Sequence, residues 1–255
     1  MLFPISDDNS DSTIKPVVNY ALIILNIVVF IFLQGMGGNE VFTYAFSTVP
    51  AEIITGKDIV TQAQIIVDQA TGQQFQVPGL GVTPIPVYLT TITSMFMHGG
   101  WAHLIGNMLY LWIFGDNIEN RLGHSRYLVF YLVCGVLASL SHVFATFFTG
   151  GNSLIPSLGA SGAISGVLGA YLLLFPRRKV NMLFLFRIPF SVPAWVALGF
   201  WIGFQVISGL GMLGGSSDGV AYAAHVGGFI AGILLIKLFD NKKMQISKRP
   251  SGFIW

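Results

Sequence analysis

The chain is poor in charge and nearly free of cysteine. Of its 255 residues only 9% are Asp, Glu, Lys or Arg, against 53% hydrophobic ones, whereas an average soluble chain carries roughly 25% charged residues. So few charges cannot cover a soluble surface, which excludes an ordinary globular protein in water. The single cysteine, Cys134, excludes an intrachain disulfide and leaves the redox compartment open. Metal-ligand spacing is also lacking: His98, His103, His124, His142 and His225 are scattered over loops and helices, so neither a metal nor another cofactor is expected. The first apolar run does not read as a signal peptide, because Asp7, Asp8 and Asp11 outnumber Lys15 ahead of it, the reverse of a basic n-region.

What is present is a series of long apolar runs. A bilayer crossing takes about 20 residues, and six candidates are Val17 to Leu33, Trp101 to Phe114, Tyr127 to Phe148, Leu158 to Phe175, Pro189 to Leu210 and Val220 to Phe239. The second is short, and the apolar stretch Ile92 to Met97 ahead of it is a possible extension. As drawn, no run contains an Asp or Glu. With the N-terminus in the cytoplasm, every Lys and Arg except Lys57 falls on the cytoplasmic side, as the positive-inside rule requires. The expectation is an all-α membrane protein, a six-transmembrane-helix bundle with both termini cytoplasmic. Residues 1–16 form a cytoplasmic N-terminal segment, 17–239 the six-span domain and 240–255 a basic cytoplasmic tail. A large first extracytoplasmic loop covers about 35–100. It is either a solvated loop or a partly membrane-embedded element framing substrate entry, and Gln62 to Val67 within it is a short strand or helix.

Two polar residues stand out among the apolar ones. Ser161 lies in Gly159-Ala-Ser-Gly162 and His225 in Ala224-His-Val-Gly-Gly-Phe-Ile-Ala-Gly232. In this topology both segments run from outside to inside. Ser161 then sits about 5 Å and His225 about 8 Å below the outer start of its helix, at 1.5 Å per residue. His225, Gly228 and Gly232 share one helix face, and Gly162 with Gly166 makes a matching small stripe, so the two backbones can approach closely. Taken singly, Ser161 reads as a packing serine bonded to its own helix and His225 as a satisfied buried histidine. Matched depth and matched glycine faces favour instead a hydroxyl activated by an imidazole. With Asp218 two turns before His225, a Ser–His dyad is expected rather than a triad. His103 and Asn107, four residues apart in the second run, face one way and are candidate oxyanion donors, as is the Ser161 backbone N–H.

At these residues the chain resembles the rhomboid family of intramembrane serine proteases. The resemblance is densest in Leu89 to Asn107, with its H-x-x-x-N spacing, in Gly159-Ala-Ser-Gly162, and in Ala224 to Gly232, similar to A-H-x-x-G-x-x-x-G. It implies a rhomboid-like bundle in which Ser161 is the nucleophile, His225 the general base and acid, and His103 with Asn107 the oxyanion donors. Glu119 and Arg121 resemble the family's E-x-R element and His98 a loop anchor; all three, with Gly162, Gly228 and Gly232, take structural roles. The implied activity is endopeptidase cleavage of single-span membrane proteins within the lipid bilayer, in a plasma or inner membrane, without a nucleic-acid partner. Three departures are visible, one of them an enlargement of the first loop between about Lys57 and Gly81. Ser165 stands where some members carry an aromatic against the catalytic imidazole, which leaves the orientation of His225 open, with Tyr222 or an aromatic of another span as candidate substitutes. The Trp-Arg pair some members carry in the first loop is absent. The alternatives are a non-catalytic rhomboid-like scaffold that binds transmembrane helices, and a small transporter.

Overall fold

A computed structural model describes residues 2–67, 74–77, 79–185, 187–212 and 222–240. The chain opens with strand β1 (Leu2–Asp7), then helix α1 (Val17–Val28), which passes into a π-helical turn at Val29–Leu33. The first loop holds α2 (Glu40–Ala45), α3 (Pro50–Thr55), strands β2 (Gln64–Val67) and β3 (Gln74–Val77), and α4 (Thr90–Thr93). The bundle continues with α5 (Trp101–Leu122), α6 (His124–Thr149) and α7 (Ser161–Leu174). After them come strands β4 (Lys179–Phe184) and β5 (Ile188–Pro193), then α8 (Ala194–Met212) and α9 (Tyr222–Phe239).

The protein is mostly helical, and α6, α8 through Gly211, and α9 are each long and apolar enough to cross a membrane. Val17–Leu33, Val87–Phe96 and α7 are shorter apolar helical stretches. At the centre stands α7, whose Ala163, Val167, Leu168, Ala170 and Tyr171 are wholly or almost wholly buried, enclosed by α5, α6 and α9. Polar groups in the apolar interior find partners across helices, as lipid demands. Asn19 Nδ2 donates to the Leu111 carbonyl at 2.9 Å, and the Tyr127 hydroxyl donates to Asn19 Oδ1 at 2.7 Å. The outer side of α8 is different, with Phe200, Phe204 and Ile207 exposed.

The structure amends four sequence expectations. The fold is not wholly α: β1, β4 and β5 form an antiparallel sheet in the order β1-β4-β5, and β2 pairs with β3. The fifth apolar run is therefore a strand up to Pro193 and a helix only from Ala194. Pro189 and Pro193 are tolerated because β5 is an edge strand, where a missing N–H costs no ladder bond. The second run extends downstream to Leu122 rather than upstream, because Gly99 and Gly100 separate it from the short turns of Val87–Phe96. This longer α5 contains Asp116 and Glu119, so carboxylates do occur within a bundle helix. Finally, the third run begins earlier than Tyr127, because His124 already opens α6.

The first loop folds onto the bundle. The Gln62–Val67 stretch resolves as strand β2 from Gln64 onward, and α3 packs against α6. Asn39 caps α2 by accepting the Phe42 N–H at 3.1 Å, an ordinary helix start. Gln34 grips the loop's far end, accepting the His98 N–H and donating to the His98 carbonyl, both at 2.9 Å. Thr48 and Ser157 exchange backbone hydrogen bonds of 2.9 and 2.7 Å, and Gly159 N–H donates to the Ser94 carbonyl at 2.8 Å. With the Ala51 N–H donating to the Ser153 carbonyl at 2.9 Å, the segment leading into α7 is tied to the loop at three points.

Candidate active site

Ser161 is the first residue of α7, preceded by Gly159 with φ +123°. That backbone conformation favours glycine, and a Cβ there would come within 2.8 Å of the His103 ring. The sharp turn sets Ser161 at a helix start, where the first N–H groups lack intrahelical acceptors and the helix dipole favours negative charge. On α9, His225 is 9% exposed. Its Nε2 lies 2.8 Å from Ser161 Oγ, and its Nδ1 lies 2.8 Å from Oε1 of Gln205 on α8.

The hydroxyl and the imidazole meet because the two helices touch backbone to backbone. A Cβ on Gly228 would overlap the Gly162 carbonyl oxygen, and one on Gly232 would overlap the Gly166 carbonyl oxygen. Gly166 fits against Cys134 of α6 in the same way. Ser165, on the next turn, does not face His225 as an aromatic would; its hydroxyl donates to the Ser161 carbonyl at 2.6 Å. The ring beside His225 is Trp201 of α8, with centroids 6.0 Å apart and planes inclined by 37°. Trp201 and Gln205 went unnoticed in the sequence. Gln205 is the sole amide of α8, in which Ser208 is the one hydroxyl, and that rarity is the available signal.

The other predicted residues fall in two groups. Near the hydroxyl, His103 stands over the Gly159 turn, its Nδ1 accepting the Gly99 N–H at 3.4 Å, and packs edge-on against buried His98 at 5.1 Å. Asn107 follows one turn along α5; it is buried, and its Nδ2 has no hydrogen-bond partner among the described residues. A small cavity of about 20 Å³, bordered by Ser94, Ser139, Ser157, Gly159, Ser161 and Ala224, is large enough for one water.

At the opposite end of α5 lie Glu119 and Arg121. The Glu119 carboxylate accepts the N–H groups of Val18 and Asn19 at 3.0 and 2.7 Å and meets His124 Nδ1 at 2.5 Å. It therefore satisfies the orphan donors at the start of α1. Arg121 forks onto Asp240 with bonds of 2.8 and 2.7 Å, joining α5 to the end of α9. Close by, Asp7 accepts from Asn117 at 2.8 Å and from the Tyr171 hydroxyl at 2.5 Å, and Arg178 bonds Asn117 and Asp11. Burial pushes the Asp7 carboxyl up to about 6, against the lowering pull of Tyr171 and Arg178. Asp218 and the lysines and arginine of the tail beyond 240 lie outside the described residues. Among those described, no His, Cys, Asp and Glu side chains cluster as metal ligands would.

The chain is similar to known proteins. Residues 87–241 match the model of the Rhomboid domain. Similar proteins include Rhomboid protein 1, mitochondrial, of Saccharomyces cerevisiae, 38% identical over 57% of this chain and 40% of its own length. Rhomboid protease GluP of Bacillus subtilis is 36% identical over 53% of this chain and 25% of its own. The human Presenilin-associated rhomboid-like protein, mitochondrial, is 31% identical over 64% of this chain and 41% of its own. The chain thus spans less than half the length of these relatives. The matched region takes in α5 to α9 and with them the Ser161–His225 contact: the chain belongs to the rhomboid family.

Proposed function

We propose that the protein is an intramembrane serine endopeptidase working through a Ser161–His225 dyad. The observation that carries this reading is the 2.8 Å approach of His225 Nε2 to Ser161 Oγ between two helices locked by glycine. A nucleophile and base within hydrogen-bond reach are the first requirement of acyl transfer, and a scaffold that merely holds helices has no use for them. Ser161 Oγ attacks the scissile carbonyl while its proton passes to His225 Nε2. His103, Asn107 Nδ2 and the Ser161 N–H hold the oxyanion of the tetrahedral intermediate. The unpartnered state of Asn107 Nδ2 supports this, because such a donor is then preorganised for a charge that develops only during reaction. Collapse breaks the C–N bond, and His225 gives its proton to the leaving amine. A water, for which the cavity beside Ser161 has room, next attacks the acyl ester with His225 again as base, and Ser161 is regenerated.

The substrates on this reading are single-span membrane proteins reached through the bilayer. Their helices must unwind to expose a carbonyl, so helix-breaking residues near the cleavage site favour attack. Six crossings with both termini on the cytoplasmic side remain the topology that best sorts the basic residues. The relatives reported above are mitochondrial and bacterial and lend no support to a plasma membrane in particular.

The test is labelling of the purified protein with a fluorophosphonate, beside cleavage of a single-span model substrate. The parent should label and cleave, and Ser161→Ala and His225→Ala should do neither while staying folded. Equal labelling of parent and Ser161→Ala would sink the assignment.

A further inference from the structure

We propose that Gln205 is a positioning residue for His225, its side-chain carbonyl selecting the imidazole tautomer that acts as base. The proposal rests on the reading of Ser161 and His225 as nucleophile and base. To take a proton from Ser161, His225 must present a bare Nε2, so in the neutral ring the proton must sit on Nδ1. The group that meets Nδ1 is Gln205 Oε1, at 2.8 Å. An amide oxygen can only accept, so this contact stabilises the Nδ1–H form and leaves Nε2 aimed at Ser161. An amide cannot be protonated at neutral pH and brings no net charge. It thus serves where a carboxylate would have to be buried, at heavy desolvation cost.

The surroundings of Gln205 argue for a purpose. It is 7% exposed, while its neighbours Phe204 and Val206 and the following Ile207 lie open on the outer side of α8. A polar amide turned inward from a helix facing lipid has to find a partner or leave its groups unsatisfied. Trp201, one turn earlier on α8, lays its ring beside the same imidazole and also packs against Phe229 of α9. One face of α8 thereby supplies both an aromatic wall and a hydrogen-bond acceptor. Together they stand in for the aromatic that Ser165 does not provide.

The bland reading is that Gln205 only glues α8 to α9, since interhelical amide bonds are common in membranes. Such a glue would change stability or substrate affinity, but neither the tautomer nor kcat at unchanged KM. The full chain, labelled with 15N-histidine in lipid nanodiscs, separates the two, with His225 assigned by difference from His225→Gln. We expect the parent His225 to carry its proton on Nδ1, and Gln205→Leu to mix the two tautomers. In the same preparations Gln205→Leu should lower kcat roughly 10- to 100-fold, the range of one orienting hydrogen bond, with KM within about twofold. Gln205→Glu keeps an acceptor oxygen but puts a carboxyl group in the same buried place, so it should restore the Nδ1–H tautomer and only part of the lost kcat. A parent His225 protonated on Nε2, or a Gln205→Leu protein with the parent's tautomer and kcat, overturns the proposal. If the parent neither labels nor cleaves yet shows the tautomer preference and loses it in Gln205→Leu, proteolysis is refuted and the positioning contact stands.

Discussion

Substituting Gly228 by alanine tests whether the helix contact sets the Ser161–His225 distance on which the proposed chemistry depends. The added Cβ would overlap the carbonyl oxygen of Gly162, and would also stand 3.2 Å from Ala138 Cβ. The obstacle is backbone, not the end of a flexible side chain, so relief requires the helices α7 and α9 to part. Roughly 1 Å of separation is needed before a methyl sits at ordinary van der Waals distance. Overpacking of this kind costs about 3 kcal/mol, which lowers Tm by roughly 10 °C in a chain of this size. The chemical consequence is larger. Ser161 and His225 ride on the two helices that move, and a displacement of about 1 Å from reacting geometry costs on the order of 100-fold in rate. Unfolding is conveniently followed with a thiol-reactive fluorophore, because Cys134 is the only cysteine and is fully buried. Gly199→Ala is the control: nothing lies within 4 Å of a Cβ there, and the change should alter stability by less than about 1 kcal/mol, in the favourable direction of helix propensity. A Gly228→Ala protein with the parent's Tm and cleavage rate would refute the coupling of packing to chemistry.

Three further outcomes follow from other parts of the structure. Asn107→Ala should reduce kcat by about 100- to 1,000-fold, the measured worth of one oxyanion donor in serine proteases, with little change in Tm; an unchanged kcat removes Asn107 from the oxyanion site. Arg121→Ala should destabilise by about 2 kcal/mol, because a charge-assisted pair with Asp240 is lost, and the additional loss in Arg121→Ala/Asp240→Ala should be smaller than Asp240→Ala causes alone. For Asp7 the folded-state value of about 6 lies above the usual carboxylate value near 4, so the folded protein holds that proton more tightly than the unfolded chain. Its contribution is therefore fully present below pH 4 and is lost as pH rises through 6. Chemical unfolding at pH 4 and pH 8 should show Asp7→Asn gaining on the parent only at the higher pH, and an equal difference at both would refute the assignment.

The residues that announce the site in the sequence are those whose rarity has a chemical price in lipid. Ser161 and His225 stand out as a pair because matched depth and matched glycine faces can set a hydroxyl beside an imidazole, and because helical periodicity puts His225, Gly228 and Gly232 on one face. Periodicity does not report which helix lies beside which, so Trp201 and Gln205, on a helix separated from α9 by the next connection, could not be assigned to His225. The error over the fifth run has a related cause. Phe190, Val192 and the prolines around them continue the apolar composition of α8, and hydropathy alone does not distinguish an apolar edge strand from the first turns of a helix. Likewise the second run reads as ending ahead of Asp116 and Glu119, since acids are costly in lipid. The cost is avoided at Glu119 because its oxygens satisfy the open end of α1, a partner a hundred residues earlier in the chain.

The first loop, the part least readable in the sequence, bears on the chemistry through its anchors. Its own helices and hairpin carry none of the proposed catalytic groups, but Ser94 at its end accepts the Gly159 N–H through its carbonyl and the Thr48 hydroxyl, at 2.9 Å, through its Oγ. Gly159 in turn is the residue whose lack of a side chain lets His103 stand over the turn that precedes Ser161. The position of the hydroxyl therefore depends on two independent constraints: glycine packing fixes the axis of α7 against α9, and the loop fixes the turn that begins α7. Neither alone would suffice, because a helix free to rotate about its axis can keep its glycines near a neighbour while turning its first residue away. Two constraints at different points along α7 remove that freedom, which is what a preorganised nucleophile requires.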